Sequence, residues 1–467
     1  MFETIIDAIN TFLYSKLLIV ILIGSGIYFT VRTRFPQVRL FKNACSAVME
    51  KPEGDESVSS FQALMVSTAS RVGTGNIVGV SSAICIGGVG SVFWMWIIAI
   101  LGSASALAES TLAQIYKKKG KDGQCYGGPA YYIEAALHSR GLAVVFCIAM
   151  ILTYAFGFNM LASYNLQSTF SGQPFYNAEI TPWIIGGILA LVTGWCLLGG
   201  GNRIVKVTST LVPFMGIVYI LISLLVVVLN IGQLPSVLAQ IFEEAFDFKA
   251  IFAGFAGSAM MQGIRRGLYS NEAGIGSAPN ASASAQVSHP IKQGLVQMLS
   301  VFIDTLLLCT ATAMMCLSSG IAPAQELQGA PWVQAALHES LGNFGPLFIT
   351  VAMVLFAFTT LLGNCFYCDN LLNYIHKGQP SKGFMKGFRI VSALVVFIGA
   401  GMEVSMLWNI SDVLMGVMAL INIPVILLLS NTVLKALKDY EGQIRQKKNP
   451  VFFSKNIDLK QKTDYWN

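Results

Sequence analysis

Long apolar runs separated by short charged connectors repeat along the whole chain. Eleven can be marked, near Phe12–Val31, Phe61–Cys85, Ser91–Tyr116, Leu142–Tyr164, Thr181–Leu198, Ile204–Ile231, Phe252–Leu268, Ile291–Leu317, Leu347–Tyr367, Phe388–Met402 and Leu407–Val433. About 20 apolar residues in a helix cross the hydrocarbon layer of a bilayer, and most runs reach that length. The tenth is the shortest and weakest. The pattern predicts an all-α polytopic membrane protein with eleven transmembrane helices. Three further segments are amphipathic and too polar to span, and are expected to lie along the membrane face. They are Tyr131–Leu137, after the turn Gly127-Gly128-Pro129, then Leu234–Phe248 and Ala322–Leu341. No low-complexity linker divides the chain, so residues 1–467 are read as one integral domain. Within it, 12–58 hold a first helix and its loop, 59–231 and 249–434 hold two five-helix units, and 435–467 form a tail.

Composition agrees with this pattern. The chain is 54% hydrophobic and 12% charged, with mean hydropathy +0.62. A soluble domain carries about 25% charged residues, so too little polar surface exists to face water all round. The net charge of +6 does not point to nucleic acid, because the basic residues are gathered in alternate connectors. Arg32, Arg34, Arg39, Lys42 and Lys51 follow the first run; Lys117, Lys118, Lys119, Lys121 and Arg140 follow the third. Arg203, Lys206, Arg265, Arg266, Lys292, Lys377, Lys382, Lys386, Arg389 and the tail are read on the same side, with Lys16, Arg71 and Lys249 as exceptions. That bias places the connectors in the cytoplasm, the N-terminus outside and the C-terminus inside. An odd number of spans is then required. A multi-pass protein of the bacterial cytoplasmic (inner) membrane follows, with the lipid bilayer as its surroundings and no nucleic-acid partner. Met1 to Asn10 lacks a basic n-region, so no cleaved signal peptide is expected. The nine cysteines lie mostly inside apolar runs and read as small buried hydrophobes, Cys365 and Cys368 included.

One run is interrupted where a membrane helix ought to be continuous. The second reads Ser70-Arg71-Val72-Gly73-Thr74-Gly75-Asn76-Ile77 at its middle. Two glycines and an asparagine weaken a helix there, and unwound backbone is tolerated in a membrane only when it lines a cavity or is buried in protein. Freed amides at the start of the outer half would face an anion, and freed carbonyls of the inner half a cation. Close helix packing through small residues is the competing account. The seventh run repeats the theme with Phe255-Ala256-Gly257-Ser258-Ala259-Met260-Met261-Gln262-Gly263, where the two accounts stand level. Runs two and seven are five apart, so they open two five-helix units of opposite topology, an inverted repeat. Phe158 and Asn159 in run four, and Met260, Met261, Gln262 and Gly263 in run seven, are candidates to face a substrate. Thr359 and Thr360 in run nine could ligate a hard cation, although membrane hydroxyls more often bond back to their own helix.

Ionisable residues within spans mark function by default. They are Arg71, Glu109 and Asp304. Arg71 is expected to pair with Asp304, and Glu109 to hydrogen-bond the break in run seven. Nothing resembles HExxH, GxSxG or paired catalytic carboxylates, so no enzyme is expected. A channel would need rings of ligands from several chains.

Four segments together resemble the alanine or glycine:cation symporter family of the amino acid-polyamine-organocation superfamily, within the group that has the LeuT-like fold. They are the Ser70–Ile77 run, Phe93-Trp94-Met95-Trp96, Gly127-Gly128-Pro129-Ala130-Tyr131-Tyr132, and Asn271-Glu272-Ala273-Gly274-Ile275-Gly276-Ser277-Ala278-Pro279. The resemblance implies a 5+5 inverted repeat behind one extra helix. It implies symport of a small neutral amino acid, alanine or glycine first and glutamine or serine as the alternative. Na⁺ would be the coupling ion, with H⁺ possible, no organic cofactor, and a working monomer. It further implies that Thr74, Gly75 and Asn76 meet the substrate, and that Ala69, Val72, Phe356, Thr359 and Thr360 surround Na⁺. Arg71 is expected to stand in for a second cation, leaving one sodium site.

Overall fold

The computed structural model describes residues 2–50, 58–120, 124–246, 258–459 and 463–466. Its helices are α1 (Thr4–Arg32), α2 (Ser60–Arg71), α3 (Gly75–Gly87), α4 (Ser91–Ile115), α5 (Pro129–Leu137) and α6 (Arg140–Ser168). After these come α7 (Thr181–Leu197), α8 (Gly200–Leu229), α9 (Leu234–Ala245), α10 (Ala259–Asn271) and α11 (Ala278–Ser282). The chain continues through α12 (Pro290–Leu317), α13 (Ala330–Leu341), α14 (Phe344–Ile375), α15 (Lys382–Ala400), α16 (Val404–Leu428) and α17 (Ser430–Arg445). Among the described residues, eight helices are long and apolar enough to cross a membrane, and α3 and α7 are shorter apolar helices. The weak tenth run is a helix of 19 residues. The predicted face-lying segments are α5, α9, and a short turn at Gln325–Leu327 followed by α13.

Local chemistry sets the helix ends. Ser59 and Gln62 form a reciprocal capping box at the start of α2, with Gln62 N–H to Ser59 Oγ at 3.1 Å and Ser59 N–H to Gln62 Oε1 at 2.9 Å. Ser258 caps α10 and His289 caps α12. Proline occupies the first turn of α5, α7, α9, α11, α12 and α13, where its missing N–H costs no helical bond. Wide π-type turns fall at Leu13–Leu17, Gly75–Gly79, Leu152–Phe158 and Phe302–Cys309. Such turns widen a helix and re-aim its side chains. Two of them present Asn76 and Asp304 to each other.

One face of the bundle carries Lys117, His289 and the tail segments 451–459 and 463–466, and is called here the tail face. Phe452 N–H donates to Ser288 O at 2.9 Å, and Trp466 Nε1 donates to Gln114 O at 2.7 Å. Lys117 is fully buried; its Nζ donates to Ala285 O at 2.9 Å and lies 3.9 Å from the Tyr465 ring centroid. Ala285 in turn bridges to Val58 at the entry to α2.

Two expectations change. Arg265 and Arg266 do not belong to a connector on the tail face: both are buried inside α10, in the half of the bundle farthest from the tail. Arg266 survives there because Asp412 of α16 lies 2.8 Å away and its guanidinium covers the Trp408 ring at 3.8 Å. Within the described part of run seven, Ala259–Gly263 is helical and an interruption lies further along. From Ala259 to Asn271 the helix is continuous, and the start of that run, 252–257, and Lys249 lie outside the described residues.

Candidate substrate and cation site

Helix α2 ends at Val72, whose ψ of 85° leaves the helical region. The Asn76 side chain makes the break durable. Its Oδ1 accepts from the Gly73 backbone N–H at 2.9 Å, and the Asn76 backbone N–H donates to Gly73 O at 3.2 Å. The carbonyls of Ala69 and Val72 thereby lose the donors four residues on that a continuous helix would supply. The amides of Thr74 and Gly75, at the start of the next helical segment, have no intrahelical partner either. A donor cluster and an acceptor cluster therefore stand side by side in the buried centre.

Glycine is needed at this point for space. A Cβ on Gly73 would lie 1.9 Å from Thr360 Oγ1, and one on Gly75 would lie 2.8 Å from the Tyr269 ring. The Thr360 hydroxyl is buried and has no hydrogen-bond partner. With the Ala69 and Val72 carbonyls it offers neutral oxygens of the kind a hard cation takes. Thr359 differs: its hydroxyl bonds back to Leu355 O at 2.9 Å and faces Met215 of α8 at 3.6 Å. Phe356 packs on Tyr219 on that same side, ring centroids 5.3 Å apart. Adjacent residues of a helix point about 100° apart, so only Thr360 of the pair reaches the break.

The second break spans Glu272–Ser277. Glu272 closes α10 in the left-handed region, and Gly274 and Gly276 have φ of 84° and 87°, conformations that glycine adopts without penalty. The freed amides of Gly274 and Gly276 donate to the Glu109 carboxylate at 3.3 and 3.2 Å. Asn422 adds bonds to Glu109 Oε2 at 2.8 Å and Gly274 O at 2.9 Å. A buried carboxylate needs donors of this number, and Glu109 supplies an anion where the backbone supplies only N–H groups.

Glu272 ties the two breaks together. It accepts from Ser70 Oγ at 3.1 Å and Ser277 Oγ at 2.7 Å, and lies 4.0 Å from Arg71 Nε. Ser70 also donates to Asn364 Oδ1 at 2.7 Å, and Asn364 donates to Asn159 Oδ1 at 2.9 Å. The expected Arg71–Asp304 pair does not form. Arg71 turns to Glu272 and to Gln297 Oε1 at 3.4 Å. Asp304 takes Asn76 Nδ2 at 2.8 Å, Ser270 Oγ at 2.7 Å and Thr305 Oγ1 at 2.8 Å. The π-type turn at Phe302–Cys309 rotates Asp304 toward Asn76, away from the guanidinium. Arg71 therefore does not occupy the Asn76–Asp304 cluster, on which the single-sodium expectation rested.

Aromatic rings wall the space beside the breaks. Phe158 lies 4.9 Å from both Tyr154 and Tyr269, and Tyr269 lies 4.9 Å from Trp408. Asn165 Nδ2 donates to Thr74 Oγ1 at 3.2 Å. Phe158 and Asn159 thus lie beside the breaks. Met260, Met261, Gln262 and Gly263 are not: Gly263 packs against Ser91 O and Trp94, nine residues or about 13 Å of helix before Glu272. Tyr269 and Glu272 were missed as site residues. Glu272 lies within a quoted motif and Tyr269 two residues before it, but hydropathy put that stretch beyond the span.

A cavity of about 730 Å³ opens on the tail face between α8, α11, α14 and α15. At its inner end Asn370 Nδ2 donates to Gly127 O at 2.5 Å and to Asn280 Oδ1 at 2.7 Å. The Arg266–Asp412 pair covers Trp408, whose ring in turn meets Tyr269.

The profile of the sodium:alanine symporter family matches residues 1–454. The amino-acid carrier protein AlsT of Bacillus subtilis is 43% identical over 466 residues, covering 100% of this chain and 98% of that protein. The probable sodium/glutamine symporter GlnT of the same organism is 43% identical over 454 residues, covering 97% and 93%. The sodium/alanine symporter AgcS of Methanococcus maripaludis is 36% identical over 451 residues, covering 95% and 98%. Among solved structures, MhsT in complex with L-phenylalanine superposes with a TM-score of 0.56 at 14% identity, covering 83% of this chain and 93% of that one. That likeness is one of fold alone. With the match running through both breaks, this chain belongs to the sodium:alanine symporter family.

Proposed function

We propose that the protein imports a small neutral amino acid together with Na⁺ by alternating access, alanine or glycine being the favoured substrates. One observation carries the reading. The Asn76 side chain holds α2 open so that free amides at Thr74 and Gly75 adjoin free carbonyls at Ala69 and Val72 and the unpartnered Thr360 hydroxyl. The first set suits the substrate carboxylate and the second suits Na⁺, so each ligand strengthens the geometry the other needs. The rings of Phe158, Tyr269 and Trp408 leave little room beside the breaks, which favours a small side chain. The GlnT relative keeps glutamine as the second reading.

The wider reading is eleven spans, one helix ahead of a 5+5 inverted repeat, with the tail face in the cytoplasm. On that orientation the Arg266–Asp412 pair closes the outside and the 730 Å³ cavity is the inward release route. Glu272, bonded to Ser70 across the breaks, passes motion of one broken helix to the other. A single chain contains both breaks, which supports a working monomer. Purified protein in sealed vesicles, given labelled alanine and an inward Na⁺ gradient, tests this. Saturable uptake that collapses when K⁺ replaces Na⁺ is expected. Uptake indifferent to the Na⁺ gradient would overturn the coupling, and preference for glutamine over alanine in competition would select the second reading.

A further inference from the structure

The helix ahead of the repeat has no place in the mechanism so far, yet it reaches the outer closure. Its π-type turn at Leu13–Leu17 carries Tyr14, fully buried, whose Oη donates to the Asp412 carbonyl at 3.0 Å. Asp412 is the residue whose carboxylate holds Arg266 at 2.8 Å. The same Tyr14 ring lies 4.7 Å from the Arg265 guanidinium, which also donates to Asn10 O at 3.2 Å. Asn10 Nδ2 returns to α16 through Asn409 O at 2.9 Å. Gly416 lets the two helices approach: a Cβ there would lie 3.1 Å from Leu18 and 3.2 Å from Leu13.

Two adjacent buried guanidiniums repel each other on α10, where the Asp412 carboxylate and, from further off, Asp7 act on them. Tyr14 answers that with the negative face of its ring on Arg265, while its hydroxyl fixes the backbone from which Asp412 reaches Arg266. We propose that Tyr14 is a positioning residue of the outer closure, and that the first helix holds α10 and α16 together when the outside is shut. The proposal rests on the reading of Arg266–Asp412 as that closure. Loss of the Tyr14 hydroxyl removes one buried hydrogen bond from the shut state, which slows occlusion without touching the substrate site.

The test is a double-mutant cycle on Na⁺-driven alanine uptake. Tyr14→Phe is expected to lower the maximal rate about five-fold with KM within two-fold of wild type, one hydrogen bond's worth of closure. Tyr14→Leu, which also removes the ring from Arg265, is expected to lower it by about 20-fold or more. In the Arg266→Gln/Asp412→Asn background, Tyr14→Phe is expected to have no further effect. If uptake there is too slow, the alanine-induced rise in Tm, which needs no turnover, is compared across the same four proteins. A Tyr14→Phe loss that persists in full in that background, or a raised KM at normal maximal rate, would overturn the proposal. An inactive wild type would instead refute the transport reading itself.

Discussion

Replacing Gly73 by alanine puts the proposed cation site under direct strain. The new Cβ would stand 1.9 Å from Thr360 Oγ1 and 3.2 Å from its Cβ, against ordinary contacts near 3.5–4 Å. Separating the atoms takes a displacement of about 1.5 Å, because both residues sit on backbone held by neighbours. Overpacking of this kind costs about 1–3 kcal/mol. It also carries the hydroxyl off the line to the Ala69 and Val72 carbonyls, so Na⁺ affinity should fall. Adding Thr360→Ala removes the clashing Oγ1 and leaves only the 3.2 Å approach, so the double variant should regain most of the lost stability. It should not regain the ion. If one oxygen ligand is worth ten-fold in Kd, stabilisation by saturating Na⁺ drops by about 1.4 kcal/mol. The assay is thermal unfolding in detergent with Na⁺ titrated at constant ionic strength, beside the Na⁺ dependence of alanine uptake. Gly73→Ala with unaltered stability and Na⁺ response, or a double variant that recovers its Na⁺ response along with its stability, would refute the reasoning.

The Arg266–Asp412 pair gives a second asymmetry: Asp412→Asn strands the buried Arg266 charge and should cost about 3–5 kcal/mol, while Arg266→Gln/Asp412→Asn should cost less than either single change, as thermal unfolding would show. At the tail face, burial holds the His289 imidazole below its ordinary value, against the opposing pull of the Asp439 carboxylate. His289 Nδ1 accepts the Ile291 amide at 3.2 Å, a bond that only the neutral ring can make. Undocked protein then binds more protons than docked protein below about pH 6.5. Tail docking should be complete above that pH and weaken as pH falls through the lowered pKa, read as rising protease sensitivity of 451–466 and abolished by His289→Asn. Trp466→Ala opens the aromatic cover of Lys117 and should cost about 1–2 kcal/mol; Lys117→Met in the same background should recover part of it, measured by the same proteolysis.

The first break was legible because its residues, Gly73, Gly75 and Asn76, sit within an apolar run where nothing else explains them. The second was misplaced for a physical reason. Gly263 looked like part of an interruption, but a glycine packed against Ser91 O leaves a helix intact; Gly257 lies outside the described residues. The real break needs positive φ at Gly274 and Gly276 and a carboxylate from Glu109, which composition along one strand of sequence does not display. Charge partners were harder still. Arg71 and Asp304 are both intramembrane ions, yet helix rotation and the π-type turn send them to Glu272 and Asn76. Arg265 and Arg266 passed for a loop because their compensation, Asp412 and the rings of Trp408 and Tyr14, comes from distant segments. Thr359 and Thr360 were indistinguishable until the helix phase around Thr360 was known.

Those two arginines bear on how the molecule is made. An arginine at the centre of a lone inserting helix costs about 2.5–3.5 kcal/mol, while each leucine or isoleucine returns only about 0.3–0.6. Helix α10 has two arginines and few such residues to offset them. Its charge partner Asp412 lies 146 residues further along the chain. During synthesis α10 therefore leaves the ribosome long before α16 exists to neutralise it. Its final seat in the bilayer is expected to be taken late, after the long apolar helices α12, α14 and α16 have entered around it. Arresting translation between α10 and α16 should leave α10 accessible to water-soluble reagents that no longer reach it in the finished protein.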